Sequence, residues 1–179
     1  MTLLAVAVAL VGALCLLNLV LTLGVVRRLR DHSERLSLSS MPLDEVALAR
    51  AGDHIAPFTA TTVDGVVVTN ADLVEPTLVA FFSPDCSACG PQLAPFADYA
   101  RSFPGGPDRT LIVITSETGG ARYHRELDGL GRRITEAELT GPVQKAFNTR
   151  GYPAFALAVD GEVMQSGHGV ADLPQHQSA

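Results

Sequence analysis

Hydrophobic and polar positions divide this chain into three regimes. From Leu3 to Val26 the residues are apolar apart from small or mildly polar ones such as Gly12, Asn18 and Thr22, and no charge interrupts the run. An uncharged stretch of this length suits a helix that spans a bilayer. From Arg27 to Ala56 the pattern turns polar and irregular. It breaks at Ser37-Leu38-Ser39-Ser40-Met41-Pro42, carries at best a short amphipathic helix from Leu43 to Ala51, and reads as a juxtamembrane tether. From Pro57 onward short apolar runs alternate with turn signals, which predicts a folded domain over residues 57–179.

Within that domain Phe58–Thr62 and Val66–Thr69 predict two short strands joined at Asp64-Gly65, a hairpin dipeptide. Thr77–Phe82 is an apolar, β-rich run that suits a central strand buried on both faces. The segment from Cys86 to about Phe103 has helical spacing, with Leu93, Phe96, Tyr99 and Ala100 on one side. Pro91 falls in its first turn, where proline is tolerated, and Pro95 predicts a kink. Gly105-Gly106-Pro107 then breaks the chain before a second buried strand, Thr110–Thr115. Helical material is expected from Ala121 to Leu130 and from Glu136 to Asn148. A closing hairpin follows, Phe155–Val159 and Val163–Ser166 around Asp160-Gly161. Alternating strands and helices ending in a hairpin predict an α/β domain with a mixed sheet.

The apolar N-terminal run lacks a basic leader and a small-x-small cleavage site, and Arg27-Arg28-Leu29-Arg30 follows it. It therefore reads as a permanent anchor, residues 3–26, rather than a cleaved signal. Its orientation is contested. Arg27, Arg28, Arg30 and Arg35 flank the C-terminal end, and the positive-inside rule taken alone puts the domain in the cytoplasm. Two cysteines of the domain, Cys86 and Cys89, point instead to the oxidising, extracytoplasmic side, where disulfides form and need handling. Cys15 lies inside the span and reads as a small packing residue.

Composition narrows the function classes. The chain has 179 residues, 47% of them hydrophobic, and a formal net charge of −6. Its pI is near 5.2, and no basic stripe with interleaved aromatics appears, which argues against a nucleic-acid partner. His32, His54, His124, His168 and His176 are dispersed without metal-ligand spacing, so no metal is expected. Only His168, in Ser166-Gly167-His168-Gly169, is a candidate to approach the chemistry described next. No glycine-rich phosphate loop follows a strand, and no cofactor is expected. Asp64, Asp160 and Glu162 read as turn residues rather than acid–base groups.

The chemistry sits in Phe81-Phe82-Ser83-Pro84-Asp85-Cys86-Ser87-Ala88-Cys89. With a buried strand ending before Cys86 and a helix starting there, Cys86 would meet the orphan N–H groups and positive dipole end that favour a thiolate. Cys89 would lie one turn on, within reach of a mixed disulfide formed at Cys86. Cys86 attacks and Cys89 resolves. As the only cysteines of the water-facing part, they can pair only with each other or with a partner.

This order of elements, a buried strand running into C-x-x-C, a second buried strand, then Gly151-Tyr152-Pro153 before a strand and an Asp-Gly hairpin, resembles the thioredoxin fold. The preceding hairpin and the anchor resemble its membrane-tethered branch of thiol-disulfide oxidoreductases, the TlpA/ResA-like and MauD-like proteins. The resemblance runs from Pro57 to about Val170. It implies a mixed central sheet flanked by helices, and Cys86–Cys89 as the redox-active disulfide. It also implies a cis Pro153 facing the dithiol, with the Tyr152 backbone pairing with an extended substrate segment. Protein disulfides or dithiols and a redox partner are the implied partners.

Departures from the family pattern carry their own expectations. Asp85 stands where many relatives have Trp, and its charge should disfavour a Cys86 thiolate. Gln92 stands where the tethered branch often has Glu and cannot accept a proton from Cys89, so water or another group must do so. The family's helix proline comes one position late, at Pro95, and the short stretch after the final hairpin predicts a thinly covered sheet edge. Two other classes compete. One is a peroxiredoxin-like peroxide reductase, for which Ser83 supplies a hydroxyl but Val79 replaces the class's proline. The other is a non-catalytic module that docks a partner or holds Cu(I) between two thiolates.

Overall fold

The molecule is described by a computed structural model over residues 47–116, 120–137 and 140–175, together with Gly12. At its centre is β1, Thr77–Phe82, in which every residue is buried. A run of six residues with no solvent face needs strands on both sides and cover on both faces. It pairs in parallel with β2, Thr110–Thr115, and antiparallel with β3, Ala154–Val159. Two outer strands complete a mixed five-stranded sheet: β4, Arg132–Glu136, lies parallel to β2, and β5, Glu162–Gly167, lies antiparallel to β3. The final hairpin turns at Asp160 and Gly161, both left-handed with φ of 53° and 76°, as a two-residue loop of this kind requires. Thr59–Thr61 and Val67–Thr69 form the separate antiparallel hairpin expected around Asp64-Gly65.

Among the described residues three helices cover the sheet: α1, Cys89–Ser102; α2, Ala121–Glu126; and α3, Pro142–Ala146. Alternation along β1 sends consecutive phenylalanines to opposite faces. Phe82 meets Phe96 of α1 at 5.3 Å between ring centroids and Phe155 at 5.6 Å, whereas Phe81 meets Phe147, just after α3, at 5.5 Å. These edge-on contacts fix how both layers sit on the end of β1 where the chain leaves for the cysteines.

Four expectations change. The helix expected from Cys86 begins at Cys89, because Pro84 and the turns that follow keep the chain out of helical pairing for one more turn. Glu136 does not start a helix. It ends β4, and only Pro142–Ala146 of the expected helical stretch is helical. Arg132–Glu136 alternates weakly and is a strand because β2 offers it a parallel partner, a long-range cause. The end of the expected tether belongs to the folded unit: Ala49 and Ile55 are buried, and Ala49, Gly52 and Ile55 donate backbone hydrogen bonds to Phe147, Val163 and Gly161. Residues 47–50 are not helical.

After the last strand the described chain carries only a short 3-10 turn, Val170–Asp172. The expected anchor, residues 3–26, lies outside the described residues, as does the tether up to residue 46. Among the described residues no helix is long and apolar enough to cross a membrane.

Candidate active site: a dithiol beneath a cis-proline loop

The register of the sheet assembles the site. Phe81 pairs with Ala154, so the residues just before β3 come level with the exit from β1, and Pro153 stands beside the cysteine turn. Phe155 pairs with Gly167, which brings His168 to the same level from the other side. The ends of β1, β2 and β4 open on this edge, the usual place for sites on sheets containing parallel strands.

From Ser83 the chain descends through two successive turns. The Cys86 N–H donates to the Ser83 carbonyl at 3.1 Å, and the Cys89 N–H donates to the Cys86 carbonyl at 3.1 Å. Cys86 therefore sits one turn outside α1, and Cys89 is its first residue. The two sulfurs differ sharply in access. Both are thiols, Cys86 half-exposed and Cys89 fully buried. The Cys86 thiol donates to the backbone carbonyl of Tyr152 at 3.1 Å, and the Tyr152-Pro153 peptide is cis, as the resemblance implied.

The electrostatics rank the pair. Its hydrogen bond with Cys86 first, and burial next, push the Cys89 thiol far above the ordinary thiol range. The Ser83 N–H, 3.4 Å from the Cys89 sulfur, pulls the other way without prevailing. Tyr123, on α2, borders the site: burial first, and then negative charge on Cys89 and Cys86, holds its phenol above the usual range, so it stays neutral there.

Other predicted residues find definite places. His168 Nδ1 lies 2.7 Å from the Pro153 carbonyl, so the one histidine expected near the proline loop reaches it. Gln92 Oε1 accepts from the Val170 N–H at 3.3 Å and ties α1 to the C-terminal 3-10 turn. Asp85 is exposed, which leaves its charge to be screened by water. The Ser83 hydroxyl accepts from the Asp85 N–H at 3.3 Å, a turn contact. A groove of about 490 Å³ beside α1 is lined by Gln92, Pro95, Tyr99 and Val170 among others and includes neither cysteine. Among the described residues no cluster of three or more His, Cys, Asp or Glu could hold a metal ion.

Sequence reading gave no role to Gln144 and Glu136, which fall in the expected helical stretch from Glu136 to Asn148. Glu136 is buried, and its carboxylate accepts from the backbone N–H groups of Val143 and Gln144, at 2.8 and 3.1 Å, and from the Gln144 side chain at 3.0 Å. The nearest signal was Gly141-Pro142, a helix start without a capping side chain of its own.

No protein-family model matches the chain, and no curated protein matches it. Solved structures do. A thio-disulfide isomerase from Thermus thermophilus superposes with a TM-score of 0.55 at 16% identity, over 68% of this chain and 87% of that one. A candidate thioredoxin from Neisseria meningitidis gives 0.53 at 22% identity, over 68% and 81%. A secreted disulfide oxidoreductase of Mycobacterium tuberculosis, homologous to E. coli DsbE, gives 0.52 at 19% identity, over 63% and 83%. The fold is thioredoxin-like. In this thioredoxin-like frame the cysteine turn follows the central strand, and the cis-proline loop closes over it from the antiparallel side of the sheet.

Proposed function

We propose that this chain is a membrane-tethered thiol-disulfide oxidoreductase that exchanges disulfides with protein substrates through Cys86 and Cys89. The observation that carries the reading is the asymmetry of the pair: a half-exposed Cys86 beside the cis-proline loop and a buried Cys89 held in its thiol form. The apolar, uncharged run of residues 3–26 supports the tether, and we place the dithiol domain on the extracytoplasmic side, where protein disulfides persist.

The chemistry follows from the order of access. Cys86, as thiolate, attacks one sulfur of a substrate disulfide. That bond breaks, one substrate sulfur leaves as thiolate and takes a proton from water, and Cys86 is left in a mixed disulfide. Until Cys86 enters the mixed disulfide, its hydrogen bond and charge act together with burial to hold the proton on Cys89. Once that sulfur is consumed in a neutral disulfide this restraint is gone, and burial alone opposes the Ser83 N–H. Cys89 then loses its proton to water and attacks the Cys86 sulfur. The second substrate sulfur leaves as thiolate, and the dithiol ends as the Cys86–Cys89 disulfide with the substrate reduced by two electrons. A redox partner restores the dithiol, and the same steps in reverse oxidise a substrate dithiol. Pro153 has no N–H to offer beside the sulfurs, which leaves the Tyr152 backbone to align an extended substrate segment.

The test is trapping. Cys89→Ala should accumulate a mixed disulfide with the natural partner on a non-reducing gel, and Cys86→Ala should abolish both the adduct and the reduction of a model protein disulfide. Retention of disulfide reduction by both variants would rule out the dithiol mechanism.

A further inference from the structure

Tyr152 meets Cys86 through its backbone, but its side chain points the other way into a buried polar chain. The Tyr152 hydroxyl donates to Gln144 Oε1. The Gln144 amide nitrogen donates to the Glu136 carboxylate at 3.0 Å and to the Ala137 carbonyl at 2.9 Å. Both partners of that nitrogen are acceptors only, so the amide has one orientation, and the phenol must be the donor to its oxygen. Glu136 is locked in turn by the two backbone N–H groups at the start of α3. Gly141 leaves the room: a Cβ there would collide with the Glu136 carboxylate. Gln144 is 1% exposed, Glu136 6% and Tyr152 8%. A fully partnered polar chain at this depth is rigid, because each displaced group would be left buried and unpaired.

We propose that Gln144, anchored by Glu136, is a positioning residue for Cys86. By holding the Tyr152 hydroxyl it sets where the Tyr152 carbonyl stands over the Cys86 sulfur, and so how firmly the resting thiol keeps its proton. The inference rests on the oxidoreductase reading only in taking Cys86 as the nucleophile. The carbonyl can accept from the S–H form and only repels the thiolate, so a fixed carbonyl favours the thiol. The second tie on this loop runs from His168 to the next carbonyl, that of Pro153.

The experiment uses the reduced full chain and follows carbamidomethylation of Cys86 by iodoacetamide over about pH 5 to 10, with modification assigned to each cysteine by mass spectrometry. Tyr152→Phe removes one oxygen atom, and Gln144→Met removes the amide at similar length. Each should move the rate profile to lower pH, so that Cys86 reacts about two- to fivefold faster below the wild-type midpoint, the size of one hydrogen bond. The double variant should shift no further than either single one.

Profiles that superimpose on wild type while thermal stability falls would reduce the chain to packing and overturn the proposal. So would additive shifts in the double variant. If Gln144→Met does not fold, Tyr152→Phe decides alone. Failure of the wild-type protein to reduce a model disulfide would instead count against the oxidoreductase reading, since alkylation needs no partner.

Discussion

The backbone N–H of Ser83 donates to the sulfur of Cys89 across 3.4 Å, between two buried residues. Ser83 directly follows the central strand and Cys89 starts α1, so this contact closes the turn on itself and gives the buried sulfur a donor suited to a thiolate. The hydrogen bond with Cys86, burial and, once Cys86 is ionised, its charge outweigh that donor; a mixed disulfide at Cys86 removes the Cys86 part and leaves burial as the opposing cause.

A stability prediction follows from the raised Cys89 thiol. The ordinary thiol value is 9.0, and the folded value lies far above it. The contribution is fully present below pH 9.0 and is lost as pH rises, because the unfolded chain then releases a proton that the folded dithiol keeps. The reduced protein should therefore lose stability from this group as the pH rises above that point. The Cys86–Cys89 disulfide form has no such thiol and should lack the slope. Urea unfolding of both forms between about pH 8 and 10 measures it, and equal slopes would refute the assignment.

Phe82 should be the costliest aromatic to remove. Its ring contacts Phe96, Phe155 and Tyr123, at 5.3, 5.6 and 6.1 Å between centroids, and is fully buried. Phe82→Ala should lower stability by about 3–5 kcal/mol, read from the urea midpoint, and should weaken the packing of α1 on which the cysteine turn rests. A loss below about 1 kcal/mol would contradict the packing described.

Residues 47–56 should behave as part of the domain. Their backbone bonds to Phe147, Val163 and Gly161, the Ser166 hydroxyl on the Ala49 carbonyl at 2.6 Å, and the burial of Ala49 and Ile55 tie this segment down. A chain starting at Pro57 should be about 2–5 kcal/mol less stable than one starting at Ala47. Equal denaturation midpoints would restore the segment to the tether.

Sidedness is tested in intact cells with a membrane-impermeant maleimide, before and after an impermeant reductant. An extracytoplasmic, oxidised dithiol should label at Cys86 only after reduction. Labelling that appears only after lysis would put the domain on the cytoplasmic side, with Arg27, Arg28, Arg30 and Arg35 setting the topology.

How much was legible depends on the range of the forces involved. Thr77–Phe82 and Thr110–Thr115 are strands over the residues expected, because six consecutive apolar, β-rich residues are compatible with little else in an α/β chain. Asp64-Gly65 and Asp160-Gly161 announce their hairpins through local backbone preference. The C-x-x-C turn is read directly from the sequence, whereas the cis Pro153 was implied by the family resemblance, and His168 was the one histidine placed as a candidate near it.

The amino-acid sequence by itself determined the central strands, the hairpins and the two cysteines of the C-x-x-C turn, since these depend on local propensity and on residue identity. Only the tertiary structure decided the rest. Arg132–Glu136 became a strand because β2 was there to pair with it, and Ala49–Ile55 joined the domain through backbone bonds to residues about a hundred positions away. Cys89 became the reluctant thiol because folding buried it against Cys86. The Glu136–Gln144–Tyr152 chain exists because the end of an edge strand, a short helix and the proline loop converge in space. A buried polar group is defined by partners that only the packed chain can supply, and no periodicity along the sequence encodes that meeting.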